Sequence, residues 1–346
     1  RCHSGVPALK LHPLPRVTRP RHRADGDGDD SAKDTLHMAD QVGGDKGFGD
    51  YFDLKGGALR HDFEVGEKVT AVVTSTDRNC VFIDVGARSE GIIDRQELLD
   101  AYQAVSEPDA RLEAERWTKG AMAVVEPSAE EIFKSCRLAL ALQRVLDEKE
   151  ATVATVDCYG SMWRQLPAYP CMGFARLNDL GLGGICQSDL PCAMVHILFQ
   201  GLTGRPSFVC NPTFDFSTNT ATLIHCLGCT RMDGPDKPAA AYKLRDVMER
   251  QEGCVPQVRM RVGQQVTQAI MADMNNLRYF TGTITDTPET DRGCRTKIAV
   301  KVDGNAERLW QNWSAGIHRV ACYGDLSKDL ARFCRFAELK LMDEAA

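Results

Sequence analysis

The sequence predicts an α/β protein with an antiparallel, barrel-like C-terminal subdomain, and three observations carry that prediction. Between Ser106 and Cys158, amphipathic helical periods give way to a short apolar run, the pattern of helices laid on a sheet. Between Val255 and Gly304, β-prone stretches succeed one another with turn residues between them. The length, 346 residues, and an apolar content of 43% leave room for about two domains with a sizeable core.

The formal net charge of -6 gives no general attraction to nucleic acid or anionic lipid, so such a partner would need a local patch. No apolar run approaches the roughly 18 residues of a membrane span, and a membrane partner is not expected. Most of the fourteen cysteines, among them Cys80, Cys136, Cys210 and Cys322, stand in apolar segments, where a cysteine behaves as a small hydrophobe. That usage points to a reduced, cytoplasmic setting. The C-x-x-C of Cys226 and Cys229 in "HCLGCT" lacks the second pair of a zinc finger.

Residues 1–60 mix proline, arginine and the run "DGDGDD" without a periodic apolar pattern, and read as a disordered leader. Its arginines are compatible with an organellar transit peptide, and Met38 opens a fresh stretch, "MADQVGGDKGFGDYFDLKGG". Residues 62–100 alternate instead. Lys68 to Ser75 and Cys80 to Val85 are β runs joined by "TDRN", and Gly86 and Gly91 punctuate a third short strand.

The α/β part is expected over 106–225. "SEPDARLEAERWTKGA" opens with Ser106 as N-cap, and "PSAEEIFKSCRLALALQRVLDEKE" with a capping box of Ser128 and Glu131. "ATVATVDC" reads as a buried strand. A loop-rich stretch follows, up to a helix from Leu190 to Leu202 closed by Gly204 and Pro206. Asp189 stands where a strand hands over to that helix, a usual address for a functional residue in an α/β sheet, or simply its cap.

Residues 226–346 read as the β-rich part. "VPQVRMRV", "QQVTQAIMAD", "YFTGTITDT" and "CRTKIAVKVDG" are expected strands, "NAERLWQNWSAG" a helix and "HRVACYG" a strand opened by His318. "DLSKDLARFCRFAELKLM" reads as a terminal amphipathic helix.

Two family resemblances add to this reading. "VGEKVTAVV", "VFIDVG" and "EGIIDRQEL" resemble, in order and spacing, the opening of an S1-type RNA-binding domain of the OB fold. The resemblance implies single-stranded RNA as partner, with Phe82 as stacking platform and Lys68, Arg78 and Arg88 at phosphates. With three strands visible of the five a barrel needs, the alternative is an edge-patched sheet with Phe82 in its core.

From Trp117 to Leu341 the chain resembles the C-terminal half of the L-fucose isomerase-like sugar isomerases, relatives of L-arabinose isomerase. The carrying stretches are "WTKGA", "VVEPSAEEI", "PCMGFARLNDLGLGGICQSD", "LTGRPSFVCNPTFDF", "IHC", "CRTK" and "GIHRVACYGD". The resemblance implies a metal-dependent aldose–ketose isomerase acting on a small sugar, with a divalent ion, Mn2+ first, as Lewis acid and carboxylates moving protons. Asp189 would be metal ligand and acid-base group, His318 a metal ligand, and His225 a ligand or substrate contact. Asp179, beside Asn178, would be the second carboxylate. Arg295 would bind a sugar oxygen or pair with an acid, and Trp163, Trp310 and Trp313 would stack on a sugar or pack in the core. Gln187, implied as a substrate contact, stands where many relatives carry glutamate; its amide can accept a metal or hydrogen bond through oxygen but cannot act as a base. The family's extra N-terminal domain is replaced here by the S1-like piece, and pockets shared between subunits imply a homo-oligomer. The alternative function is an RNA-binding or scaffolding protein acting through residues 62–100.

Overall fold

The computed structural model describes residues 95–346 except 161 and 163, together with the backbone of three strands, β1 (Val72–Thr76), β2 (Cys80–Asp84) and β3 (Glu90–Asp94). The leader read over 1–60 therefore lies outside the described residues, as do Lys68, Arg78, Arg88 and Trp163. The side chain of Phe82 does too.

Helices and strands are mixed throughout, as the sequence predicts for its α/β class. The first sheet runs β3-β2-β1-β4-β5, where β4 is Val153–Val156 and β5 is Gly183–Cys186. β1, β2 and β3 pair antiparallel, whereas β4 lies parallel to both β1 and β5. The strands that resemble an S1 domain are thus the antiparallel edge of a sheet that continues into the α/β part. The chain also turns helical earlier than expected, in α1 (Arg95–Ala104), so the segment read as ending at residue 100 closes as a helix.

Helices α2 (Glu107–Gly120) and α3 (Ala129–Lys149) start where their caps predict. Ser128 Oγ accepts the Glu131 N–H at 3.2 Å, and the Glu131 carboxylate accepts the Ser128 N–H at 2.8 Å, closing the capping box. The apolar stripe of α3 packs with α1 and β4 into one core through Leu138, Leu142, Val145, Leu98 and Val156.

Part of the stretch read as loop-rich is helix α4 (Cys171–Asp179). Its Asn178 serves the edge of β5 as a strand would: Oδ1 accepts the Gly184 N–H at 2.8 Å and Nδ2 donates to the Gly184 carbonyl at 3.1 Å. Gly184 permits this approach, since a Cβ there would lie 2.4 Å from Phe174 Cα.

The second sheet has seven strands: β6 (Phe208–Asp215), β7 (Thr220–His225), β10 (Gln265–Asp273), β11 (Asn276–Asp286), β12 (Thr296–Val302), β13 (Arg319–Tyr323) and β14 (Lys340–Asp343). Its order is β10-β13-β6-β7-β12-β11-β14, and a further pairing of β10 with β11 closes the first six into a ring. All the ring pairings are antiparallel. Helix α5 (Leu190–Thr203) lies against it, burying Val195 and Phe199 with Val209, Ile270 and Val320.

Three expected elements differ, and β6 and β7 pair into this second sheet together with strands from beyond His225. The stretch "VPQVRMRV" does not join the ring: among the described residues its strand β9 (Glu252–Val258) pairs only with β8 (Tyr242–Val247). Helix α6 (Ala306–Asn312) is shorter than the stretch read as helical. The terminal helix ends early, α7 being Ser327–Phe336; Glu338 takes a left-handed backbone (φ 57°) and turns the chain into β14, parallel to β11.

Candidate functional site

Asp189 and His318 meet although 129 positions separate them: His318 Nδ1 lies 2.9 Å from Asp189 Oδ2. Each is placed by an element end. Asp189 caps α5, its Oδ1 accepting the Cys192 N–H at 2.9 Å. Gln187 and Ser188, just before it, both hold left-handed backbone (φ 59° and 53°), a rare pair for non-glycine residues, at the carboxyl end of β5. His318 stands directly before β13. The next residue, Arg319, is fully buried and donates to the carbonyls of Ser314 and His318, at 2.9 and 3.0 Å. Two further bonds, of 2.9 and 3.2 Å, tie Arg319 to the Glu344 carboxylate near the chain end.

The charges follow from these contacts. Burial raises the Asp189 carboxyl, but His318 and the Cys192 amide outweigh it and hold the group below the usual carboxylate range. His225 stacks edge-on to His318, ring centroids 5.3 Å apart. Burial first, and His318 second, push His225 down to about 3, so its ring is neutral near pH 7. His225 Nδ1 and His318 Nε2 are both buried without a hydrogen-bond partner.

Each of these orphaned imidazole nitrogens leaves a lone pair or N–H unused, and His318 Nε2 is one a divalent ion would satisfy. A histidine that ligates metal through one nitrogen commonly gives its other N–H to a carboxylate, the role Asp189 has toward His318 Nδ1. Asp189, Cys192 and His318 offer ligand atoms that all lie within 4.8 Å of one another. The set is softer than an all-oxygen site, with imidazole and a thiol beside one carboxylate.

Other expected residues stand elsewhere. Asp179 is engaged by the loop after β7, its oxygens accepting Thr230 N–H, Thr230 Oγ1–H and Arg231 N–H at 2.6, 2.6 and 2.9 Å. Those three bonds make it an anchor for that loop. Arg295 is buried and committed to Asp246, with Asp291 3.4 Å away, so its guanidinium is paired with acids, the second of the two roles the sequence left open. Gln187 is half-buried, two positions before Asp189 in the chain. Trp313 carries the Arg319 guanidinium on its face at 3.9 Å and packs against Phe214, while the exposed Trp310 meets Phe216 edge-on. A cavity of about 400 Å3 is bounded by Glu131, Tyr169, Pro170 and Glu252, and none of Asp189, His225 and His318 lines it.

Sequence reasoning passed over Cys192, whose place in the first turn of α5 was readable, and a second cluster of Cys226, Glu249 and Cys294. Cys229 does not join Cys226; its sulfur lies 2.9 Å from Met232 Sδ. The antiparallel pairing of His225 with Thr296 brings "HC" beside "CR", and that pairing was the missing signal. All twelve cysteines among the described residues are free and buried. Among the described residues, no helix is long and apolar enough to cross a membrane. No family model and no curated protein matches the chain.

Proposed function

We propose that the chain is a metal-dependent aldose–ketose isomerase of the L-fucose isomerase-like kind, with Asp189 and His318 at its centre. The observation that supports this reading is the meeting of those two residues, chosen from distant stretches of sequence, at a strand end beside a second histidine. His225 and His318 would hold a divalent ion, Mn2+ in the family's pattern, and Asp189 would fix the His318 tautomer and share the ion's charge. Such an ion, when bound, polarises the carbonyl and hydroxyl oxygens of an open-chain sugar. Asp189, ionised well below neutral pH, is the group able to accept a proton from the substrate carbon or a hydroxyl. Gln187 stands in the sequence where relatives carry a glutamate, and its amide can hold an ion or a hydroxyl but cannot accept the proton.

The test is solvent deuterium incorporation into L-fucose or L-fuculose, with Mn2+ present. The reading expects slow exchange by the wild-type chain, loss in Asp189→Asn, and a rise in Gln187→Glu. Exchange absent from both wild type and Gln187→Glu, while an intact sugar isomerase turns over in the same assay, would overturn it. The alternative of RNA binding through the S1-like strands draws less support, because those strands continue into the α/β sheet through the β1–β4 pairing.

A further inference from the structure

Cys226 follows β7, Cys294 precedes β12, and Glu249 lies in the turn between β8 and β9. Their sulfur and carboxylate ligand atoms all lie within 4.8 Å of one another. Both thiols donate to the one carboxylate, Cys226 Sγ at 3.2 Å from Oε2 and Cys294 Sγ at 3.0 Å from Oε1. The sulfurs are held by sheet register and not by loose loop, since their strands pair through His225 and Thr296. They are buried, 4% and 8% exposed, whereas Glu249 reaches solvent and gives an ion its way in. Tyr159 steadies the carboxylate, its hydroxyl 3.3 Å from Oε2.

We propose that Cys226, Cys294 and Glu249 form a binding site for Zn2+, separate from the Asp189–His318 centre. Two thiolates and a carboxylate are the donors that select a soft or borderline ion over Mn2+ or Mg2+. Tetrahedral zinc, with bonds of about 2.3 Å to sulfur and about 2.0 Å to oxygen, needs its donors roughly 3.5 to 3.8 Å apart. The observed thiol–carboxylate distances fall a few tenths of an ångström short of that, a change side-chain rotation supplies. Binding is an exchange without redox change: the ion enters, two S–H bonds break, and two protons leave to solvent. Water fills the fourth position from the Glu249 side.

The experiment uses the full chain, reduced and stripped with chelator, and Co2+ as a spectroscopic probe. One equivalent of Co2+ should produce thiolate-to-cobalt charge-transfer absorption, which Zn2+ displaces while releasing about two protons per ion. Cys226→Ser and Cys294→Ser should each abolish the absorption, and Glu249→Gln should weaken affinity about tenfold or more. Cys192→Ser and Asp189→Asn should leave it intact, which separates this site from the centre above. Because Glu249 is exposed, Glu249→Gln also answers should a cysteine variant fail to fold. Absence of the absorption in wild type, its survival in Cys226→Ser, full affinity in Glu249→Gln, or its loss in Cys192→Ser would each overturn the proposal.

Discussion

Replacing Glu344 by leucine removes the acid that pairs with Arg319, the residue after His318, and that also lies 3.9 Å from Arg278. Arg319 and Glu344 are both completely buried and share two hydrogen bonds, of 2.9 and 3.2 Å. Burial pushes the Glu344 carboxyl up in spite of the guanidinium beside it, the sign expected where desolvation exceeds the attraction between the charges. Such a pair adds little net stability, yet breaking it leaves a bare buried cation, at a typical cost of about 3 to 5 kcal/mol. Here the lower end applies, because Arg319 keeps the carbonyls of Ser314 and His318 and the face of Trp313. With a urea slope of about 3 kcal/mol per molar for a chain of this size, Glu344→Leu should lower the unfolding midpoint by about 1 M. Adding Arg319→Met should restore most of that loss, since the orphaned charge is then gone. Equilibrium urea denaturation of the wild type, both single variants and the double variant measures the cycle. A single variant within a few tenths of a kcal/mol of wild type, or a double variant no better than Glu344→Leu, would refute the reasoning.

Three further outcomes follow from other parts of the fold. His196 is buried, with Nδ1 2.7 Å from Ser207 Oγ and Nε2 unpartnered, and burial pushes it down to about 4. Between pH 6.5 and about 4 only the unfolded chain takes this proton, so stability falls as pH drops, by about 2 kcal/mol at pH 5. His196→Leu should flatten that slope in denaturation curves at pH 5 and 7, and an unchanged slope would dismiss the assignment. Asp179→Ala strips three bonds from the Thr230–Arg231 loop and should cost about 3 kcal/mol while leaving divalent-metal affinity alone; a selective loss of metal affinity would return Asp179 to the site. Gly184→Ala drives a Cβ to 2.4 Å from Phe174 Cα, a backbone atom that cannot swing aside, and should cost about 2 to 3 kcal/mol in thermal unfolding. A neutral result would mean that α4 can move off β5.

The parts of this molecule legible in its sequence were those set by local chemistry. Ser106, Ser128 and Asp189 announced three helix starts, because an N-cap acts within one turn of itself. Asp189 and His318 were also singled out beforehand, through their place in the motifs. The misplaced elements depend on distant partners. Helix α4 is short and apolar on most sides, so it carries no clean period, and its burial comes from α3 and β5. β14 follows a helix of similar composition, and the left-handed Glu338 and the stretch of β11 from Asn276 to Tyr279, which β12 does not reach, make it a strand. Asp179 looked like a catalytic acid because nothing near it in sequence reveals that Thr230 and Arg231 occupy it. Glu249 and Cys294 escaped notice for the converse reason: the register of β7 on β12 and the β8–β9 turn bring them to Cys226.

On the proposed reading, His318, oriented by Asp189, holds a divalent ion. Loss of the free Mn2+ signal in electron paramagnetic resonance, read during titration of the chelator-stripped chain, tests it most directly. To keep the thiol cluster out of the reading, the titration is run on Cys226→Ser. That chain should bind one Mn2+, His318→Ala should bind none in the same range, and Asp189→Asn should bind about 10- to 100-fold more weakly. Equal binding by the parent and by His318→Ala, or none by the parent, would contradict the account.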